Sequence, residues 1–157
     1  MIYVVDTNSL SQLFRAYFES RFPTLWKLFD EMIAEMRLTS TREVRNELKQ
    51  RSRSLRLDEW VAAHPEVFPA PTEREMEYVR TIFTNRHFRD LVSQKSLLSG
   101  TPVADPFVVA RAWAIEGTVV TEEEHKPNAA KIPNVCDAFG VRRTNLEGMM
   151  EAERWEF

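Results

Sequence analysis

The chain has 157 residues and one cysteine; 43% of its residues are hydrophobic, 29% are charged, and its formal net charge at pH 7 is −3. This length predicts a single domain over residues 1–157. Cys136 is the only cysteine, which excludes an internal disulfide. A single cysteine and the lack of a signal-peptide pattern at the N-terminus both favour the reducing cytoplasm. The acidic balance excludes a protein-wide basic field, so a nucleic-acid surface would need local positive charge, and no apolar run reaches the ~18 residues that a membrane helix requires.

The N-terminal half of the chain alternates short strands with helices. Its first strand is β-branched and aromatic, and Thr7, Asn8 and Ser9, which are suitable N-cap residues, follow it directly. Apolar residues at steps of three and four then indicate amphipathic helices. The predicted elements are a strand at 2–5, helices at 7–22 and 24–37, a strand at 37–41 and mostly helix over 42–64.

The second half of the chain is irregular as far as Gly100 and clearer beyond it. Asp105 is predicted as an N-cap, Pro106 as the first residue of its helix and Gly117 as the helix stop. The predicted elements are a proline-rich loop at 65–72, helices at 73–83 and around 87–98, a helix between Asp105 and Gly117, a strand at 118–121, a polar loop at 122–128, a short helix after Pro133 and a strand at 141–145.

Strands that alternate with helices predict an α/β sandwich around a mostly parallel sheet. In such sheets, functional groups gather at the carboxyl ends of the strands. Asp6 follows the first strand, and Glu122 and Glu123 follow the strand at 118–121. We therefore expect these acids to lie at one edge of the sheet.

Acidic residues at four places are candidates for one shared pocket. They are Asp6, the pair Glu43 and Glu47, Asp105, and the pair Glu122 and Glu123. Taken singly, each has an ordinary explanation as a cap, a turn residue or part of a solvated helix face. Together, like charges about 5 Å apart would repel by roughly 3 kcal/mol per pair at an effective dielectric of about 20, so a shared pocket needs a positive ion. Oxygen ligands without histidine or cysteine select Mg²⁺ or Mn²⁺, which points to phosphoryl-transfer or phosphodiester chemistry.

Four segments, in this order, resemble the PIN domain family of metal-dependent nucleases, to which VapC-type toxins belong: VVDTNSL, EVRNEL, VADPFVVARA and VVTEE. The segment Ile132–Cys136 also resembles a compact prokaryotic PIN-like subfamily. The resemblance covers nearly the whole chain. It implies a helix-rich, three-layer α/β/α sandwich and a Mg²⁺- or Mn²⁺-dependent endoribonuclease, the toxin of a toxin–antitoxin pair.

The resemblance also implies which residues form the site. Asp6, Glu47, Asp105 and Glu123 match the catalytic acids, which are also the metal ligands. Glu43 lies one helical turn before Glu47 and remains an alternative ligand. Many family members have Asp where this chain has Glu123, and Glu122 beside it is a second alternative. The neighbouring polar groups that would orient the carboxylates or metal-bound waters are Thr7, Asn8, Ser9 and Thr121.

Two arginine clusters offer local positive charge for an RNA backbone. Arg51, Arg53 and Arg56 follow the second acidic pair, and Arg86 and Arg89 stand on either side of an aromatic residue that could stack on a base. A solvated helix face explains the first cluster about as well as an RNA contact does.

The resemblance further implies protein partners, either an antitoxin or a second copy of the chain in a homodimer. The second predicted helix offers a face for such a contact if its apolar residues do not belong to the core. These residues are Leu25, Phe29, Met32 and Ile33.

Two other functions compete with the ribonuclease. A non-catalytic PIN-like module that binds RNA or a partner is an alternative, because a longer side chain at Glu123 would change the reach of the fourth ligand. A phosphatase of the haloacid dehalogenase type also begins with an acid after its first strand. That chemistry requires the pattern D-x-D-x-T, however, and Asn8 stands in place of the second acid.

Overall fold

The computed structural model describes residues 1–100 and 103–157. The strands in this part of the chain are β1 (Tyr3–Val5), β2 (Leu38–Thr39), β3 (Thr118–Val120) and β4 (Arg142–Thr144). They form one sheet in the order β2-β1-β3-β4, and every pair is parallel. This sheet, with helices packed against it, confirms the predicted helix-rich α/β fold.

Helices make up most of the described chain. They are α1 (Thr7–Ala16), α2 (Pro23–Ala34), α3 (Arg42–Arg51), α4 (Leu55–Ala63), α5 (Glu73–Phe83), α6 (Arg86–Ser99), α7 (Asp105–Ala114), α8 (Ile132–Phe139) and α9 (Leu146–Ala152). A short 3₁₀ turn, Pro65–Val67, lies in the predicted proline-rich loop. Among the described residues, none of these helices combines the length and the apolar character needed to cross a bilayer.

Several helix boundaries differ from the predicted ones for local reasons. The helix predicted over 42–64 is two helices, because the Ser54 hydroxyl accepts a hydrogen bond from the Leu57 amide and starts α4. Helix α2 ends before residue 37, because Met36 adopts a left-handed backbone with a φ of 56° and the Arg37 amide donates back to Met32. Helix α9 was not predicted, although the Asn145 side chain caps it.

The N-caps of two helices also differ from the prediction. Asp6 itself caps α1, in place of Thr7, Asn8 or Ser9. Helix α7 has Ala104 at its N-cap without a side-chain cap bond, so the prediction that Asp105 is the cap is wrong. Asp105 is instead the first helical residue, and its carboxylate is free for another role.

The core is built from β1, β3 and the helix faces packed against them. Leu25, Phe29 and Met32 of α2 are buried in it, and Ile33 packs against it. These apolar side chains belong to the core, so the condition under which this face of α2 would offer a contact surface for a partner is not met. Cys136 is fully buried as well, in a position that suits a small apolar side chain.

Candidate metal centre

The carboxyl ends of β1 and β3 open onto a cavity of about 400 Å³. These strands are neighbours, yet β2 lies on the outer side of β1 and β4 on the outer side of β3, so the cavity is at the topological switch point of the sheet. One acid from each of the four predicted places lines it: Asp6, Glu47, Asp105 and Glu123. The other lining residues are Thr7, Asn8, Arg51, Lys95, Leu98 and Val103.

Asp6 is fixed at the end of β1 through both of its carboxylate oxygens. Its Oδ1 accepts a 2.7 Å hydrogen bond from the Ser9 amide, and its Oδ2 accepts a 2.6 Å bond from the Thr121 hydroxyl. Burial raises the pKa of Asp6, and these hydrogen bonds oppose the rise because they favour the charged form. Asp6 therefore caps α1 and faces the cavity at the same time.

Glu47 lies on α3 and reaches the cavity from a second side. Its Oε2 accepts a 2.6 Å hydrogen bond from the Thr7 hydroxyl, and its Oε1 accepts a 2.9 Å bond from the Ala104 amide. Arg51, one turn later, places a guanidinium nitrogen 3.9 Å from Oε2. Glu47 thus ties α3 to the start of α1 and to the residue that precedes Asp105.

Asp105 is the acid with the most perturbed ionisation. Burial and the nearby charge of Glu123 raise its pKa to about 7, and Glu47 and Asp6 add to the rise. The ammonium of Lys95, 3.9 Å from Oδ2, opposes it. A carboxyl group whose charge is disfavoured by three other acids is in the environment that a divalent cation would relieve.

Glu123 completes the set from the loop after β3. Its Oε2 accepts a 3.2 Å hydrogen bond from the amide of Ile132, the first residue of α8, and its own amide donates to the Thr121 hydroxyl. The N-terminal end of α8 therefore helps to hold Glu123 in place.

The two alternative ligands lie elsewhere. Glu122 Oε1 accepts a 2.7 Å hydrogen bond from the Leu146 amide at the start of α9, and its side chain lines a different cavity. Glu43 is buried and pairs with Arg42 at 2.8 Å, while its Oε2 has no hydrogen-bond partner among the described residues. Neither residue lines the cavity of Asp6, so the geometry favours Glu47 over Glu43 and Glu123 over Glu122.

The polar groups predicted to support the acids lie in three kinds of position. Thr7 and Thr121 each donate from the side chain to a carboxylate of the site, as described above. Ser9 contributes its backbone amide to Asp6, while its hydroxyl donates to the Val120 carbonyl at 3.2 Å. Asn8 is exposed and lines the cavity.

The arginines predicted to bind RNA are dispersed. Arg51 lines the cavity, and Arg53, Arg86 and Arg89 are exposed away from it. Arg56 donates to the carbonyls of Phe14 and Tyr17 at 2.6 and 3.0 Å, so it has a structural role at the end of α1, and its contact with RNA stays a prediction.

Lys95 is a charged residue of the cavity that the sequence did not single out. It lies on α6, a helix whose apolar periodicity is weak, and no motif marks it. Its position beside Asp105 arises from the packing of α6 near the start of α7.

The donor set fits a hard divalent cation. All four acids offer carboxylate oxygens, and none of the described residues that line the cavity is a histidine or a cysteine, so Mg²⁺ or Mn²⁺ suits these groups better than zinc. Within residues 1–100 and 103–157, however, no three acidic, histidine or cysteine side chains already converge as one coordination group. Hydrogen bonds hold the carboxylates of Asp6, Glu47 and Glu123, so an ion would have to draw the acids closer together.

The fold resembles that of a chain in the structure of VapBC-1 from nontypeable Haemophilus influenzae. The TM-score is 0.51 and the sequence identity is 13%, over 92% of this chain and 98% of that chain. At this identity the likeness shows a common fold. A chain in the crystal structure of VapBC2 from Rickettsia felis, bound to a DNA fragment from their promoter, matches with a TM-score of 0.48 and 13% identity, over 92% of this chain and 98% of that chain.

No curated protein sequence matches the chain. A family model does match, and it covers the site from end to end: it includes Asp6, the helix that carries Glu47, and the segments around Asp105 and Glu123. This model, described as a domain of unknown function, DUF4411, matches residues 3–157, and the chain belongs to that family.

Proposed function

We propose that the protein is a Mg²⁺- or Mn²⁺-dependent ribonuclease of the PIN type, which hydrolyses RNA phosphodiester bonds in the cavity at the switch point of the sheet. The observation that carries this proposal is that Asp6, Glu47, Asp105 and Glu123, which are distant in sequence, line one cavity. A structural explanation for each acid alone does not account for four of them around one space of about 400 Å³.

The electrostatics of the cavity favour a bound cation. Each carboxylate raises the free energy of its charged neighbours, and the pKa of Asp105, raised to about 7, is the clearest sign of it. Arg51 and Lys95 line the cavity, at 3.9 Å from Glu47 and from Asp105 respectively. Both side chains are about half exposed, so they offset the repulsion among the carboxylates only in part. A divalent ion among the acids would offset more of it.

The residues of the cavity fall into three groups by their part in this reaction. When bound, a divalent ion lowers the pKa of a water ligand and stabilises negative charge on the phosphate oxygens. Asp6, Glu47, Asp105 and Glu123 would hold the ion. Thr7 and Thr121 orient Glu47 and Asp6 through their hydroxyls, and Arg51 would attract the RNA backbone to the acidic cavity.

We further propose that the ribonuclease is the toxin of a toxin–antitoxin pair. The ordered motifs that resemble the PIN family support this role, and so does the fold that the chain has in common with a chain of VapBC-1. An antitoxin would then be the protein partner.

A second candidate, a non-catalytic module that binds RNA or a partner, is favoured by one observation. Both oxygens of Asp6 and both oxygens of Glu47 already accept hydrogen bonds from the protein. A site that satisfies its own carboxylates in this way could persist without an ion.

The two candidates differ in what manganese does. Isothermal titration with Mn²⁺ and cleavage of single-stranded RNA, on the wild type and on Asp105→Asn, separate them. The ribonuclease requires Mn²⁺ binding and Mn²⁺-dependent cleavage that the substitution removes. RNA binding with no Mn²⁺ uptake and no cleavage would establish the non-catalytic module instead.

A further inference from the structure

Lys95, on α6, brings an ammonium group to the acidic cavity. Its Nζ lies 3.9 Å from Asp105 Oδ2, and its side chain is about half exposed. The stem of Lys95 therefore contacts the protein while its charged end stays within reach of the cavity mouth.

The backbone around Lys95 and Asp105 fixes their approach. The Val103 amide donates a 3.3 Å hydrogen bond to the hydroxyl of Ser96, the residue after Lys95. The next amide, that of Ala104, donates to Glu47. The segment that leads into Asp105 is thus tied to α6 on one side and to α3 on the other, so the two charges face each other because of the fold.

Lysine and a divalent cation would compete for the same carboxylate. The ammonium of Lys95 offsets part of the negative charge around Asp105 in the metal-free protein, but it would be repelled by a doubly charged ion among the same acids. Lysine carries a compact charge on a flexible four-carbon stem, so Nζ can swing away from Asp105 without moving α6. Phosphate oxygens that approach the cavity mouth would then be its nearest negative charge.

We propose that Lys95 exchanges partners, pairing with Asp105 in the metal-free protein and with an RNA phosphate when the acids hold a divalent ion. This inference rests on the proposed function, because it assigns a substrate contact within the same cavity. Lys95 is then both a competitor of the metal and a contact of the substrate. Removing its charge should raise the affinity for the metal and lower the affinity for RNA.

The test uses Lys95→Met, which keeps most of the stem and removes the charge. Mn²⁺ affinity is measured by isothermal titration, and binding of a single-stranded RNA oligonucleotide is measured over a range of salt concentrations with Ca²⁺ as the ion. Lys49→Met is the matched control, because Lys49 is an exposed lysine of α3 that lines a separate cavity, so the same net charge is lost away from Asp105.

The expected result is an Mn²⁺ affinity about 1.5-fold to fivefold higher than that of the control, since one competing, half-exposed charge pair has been removed. RNA binding should weaken, and the slope of log affinity against log salt should fall by about 0.7, the value for one phosphate contact to a single strand. The inference is overturned if either quantity equals that of Lys49→Met. If the wild type itself binds no Mn²⁺ while remaining folded, the proposed function fails as well, which distinguishes the two failures.

Discussion

The Thr121 hydroxyl donates a 2.6 Å hydrogen bond to Asp6 Oδ2 and so joins the ends of β3 and β1. The donor and the acceptor are both buried, and they are 115 residues apart in sequence. A buried carboxylate loses most of its hydration, and the protein must replace that hydration with donors. Thr121 and the Ser9 amide are those donors.

Thr121→Val should therefore destabilise the protein by about 1.5–3 kcal/mol, the range for a hydrogen bond to a charged group. Chemical denaturation at pH 7 measures the free energy of unfolding. Thr118→Val is the matched control, because the Thr118 hydroxyl is buried at the start of β3 with no hydrogen-bond partner in the described chain. That variant should be neutral or slightly more stable, and equal losses in the two variants would contradict the account of Thr121.

Glu47→Gln should weaken Mn²⁺ binding by roughly tenfold or more, because fewer charged ligands remain around the ion. Glu43→Gln should leave the affinity nearly unchanged, because Glu43 does not line the cavity. Isothermal titration with Mn²⁺ on both variants measures the difference. The reverse order of affinities would assign the ligand role to Glu43.

The metal-free protein should lose stability as the pH rises from about 4 to about 7. The pKa of Asp105 is raised from 3.8 to about 7, so over this range the folded state keeps a proton that the unfolded state has released. The free energy of unfolding then falls with pH, by about 4 kcal/mol at most. Urea denaturation at a series of pH values in a chelating buffer measures this slope.

Asp105→Asn is the control for this pH dependence. The amide cannot ionise, so the slope between pH 4 and pH 7 should become shallower, with a remainder from Asp6, whose pKa burial also raises. Saturating Mn²⁺ should flatten the wild-type profile as well, because a bound ion favours the charged acids. A slope that is identical in the wild type and Asp105→Asn would refute the assignment to Asp105.

Arg56→Ala should destabilise the protein by about 2 kcal/mol, because Arg56 donates to two carbonyls at the end of α1 and lies over the rings of Phe14 and Trp26. Thermal or chemical unfolding measures the loss. Arg53→Ala, at an exposed position, should change stability by less than about 0.5 kcal/mol. If Arg56→Ala is as stable as Arg53→Ala and binds RNA less tightly, Arg56 belongs to the RNA surface after all.

Much of the fold could be predicted from local patterns. The strand at 3–5 and the strand at 118–120 are short apolar runs, and the acids Asp6 and Glu123 follow them in the chain. Because parallel strands bring their carboxyl ends to one edge of the sheet, the sequence alone predicts that these two acids lie near each other. The sequence does not predict the end of α2 before Met36, because it depends on the left-handed backbone of that residue. It does not predict the helix at Leu146–Ala152 either, because that helix is short and is marked only by the Asn145 cap.

Which of the neighbouring acids lines the cavity depends on the tertiary structure. Glu43 and Glu47 lie on one face of α3, and helical spacing cannot say which turn meets the cavity. The packing of α3 beside α1 and the start of α7 selects Glu47, which receives hydrogen bonds from Thr7 and Ala104. The partners of Lys95 and Arg56 likewise depend on tertiary packing. A sequence pattern determines which face of an element is apolar or charged. The partner of a single side chain depends on how elements distant in sequence pack together, and a local pattern does not determine that packing.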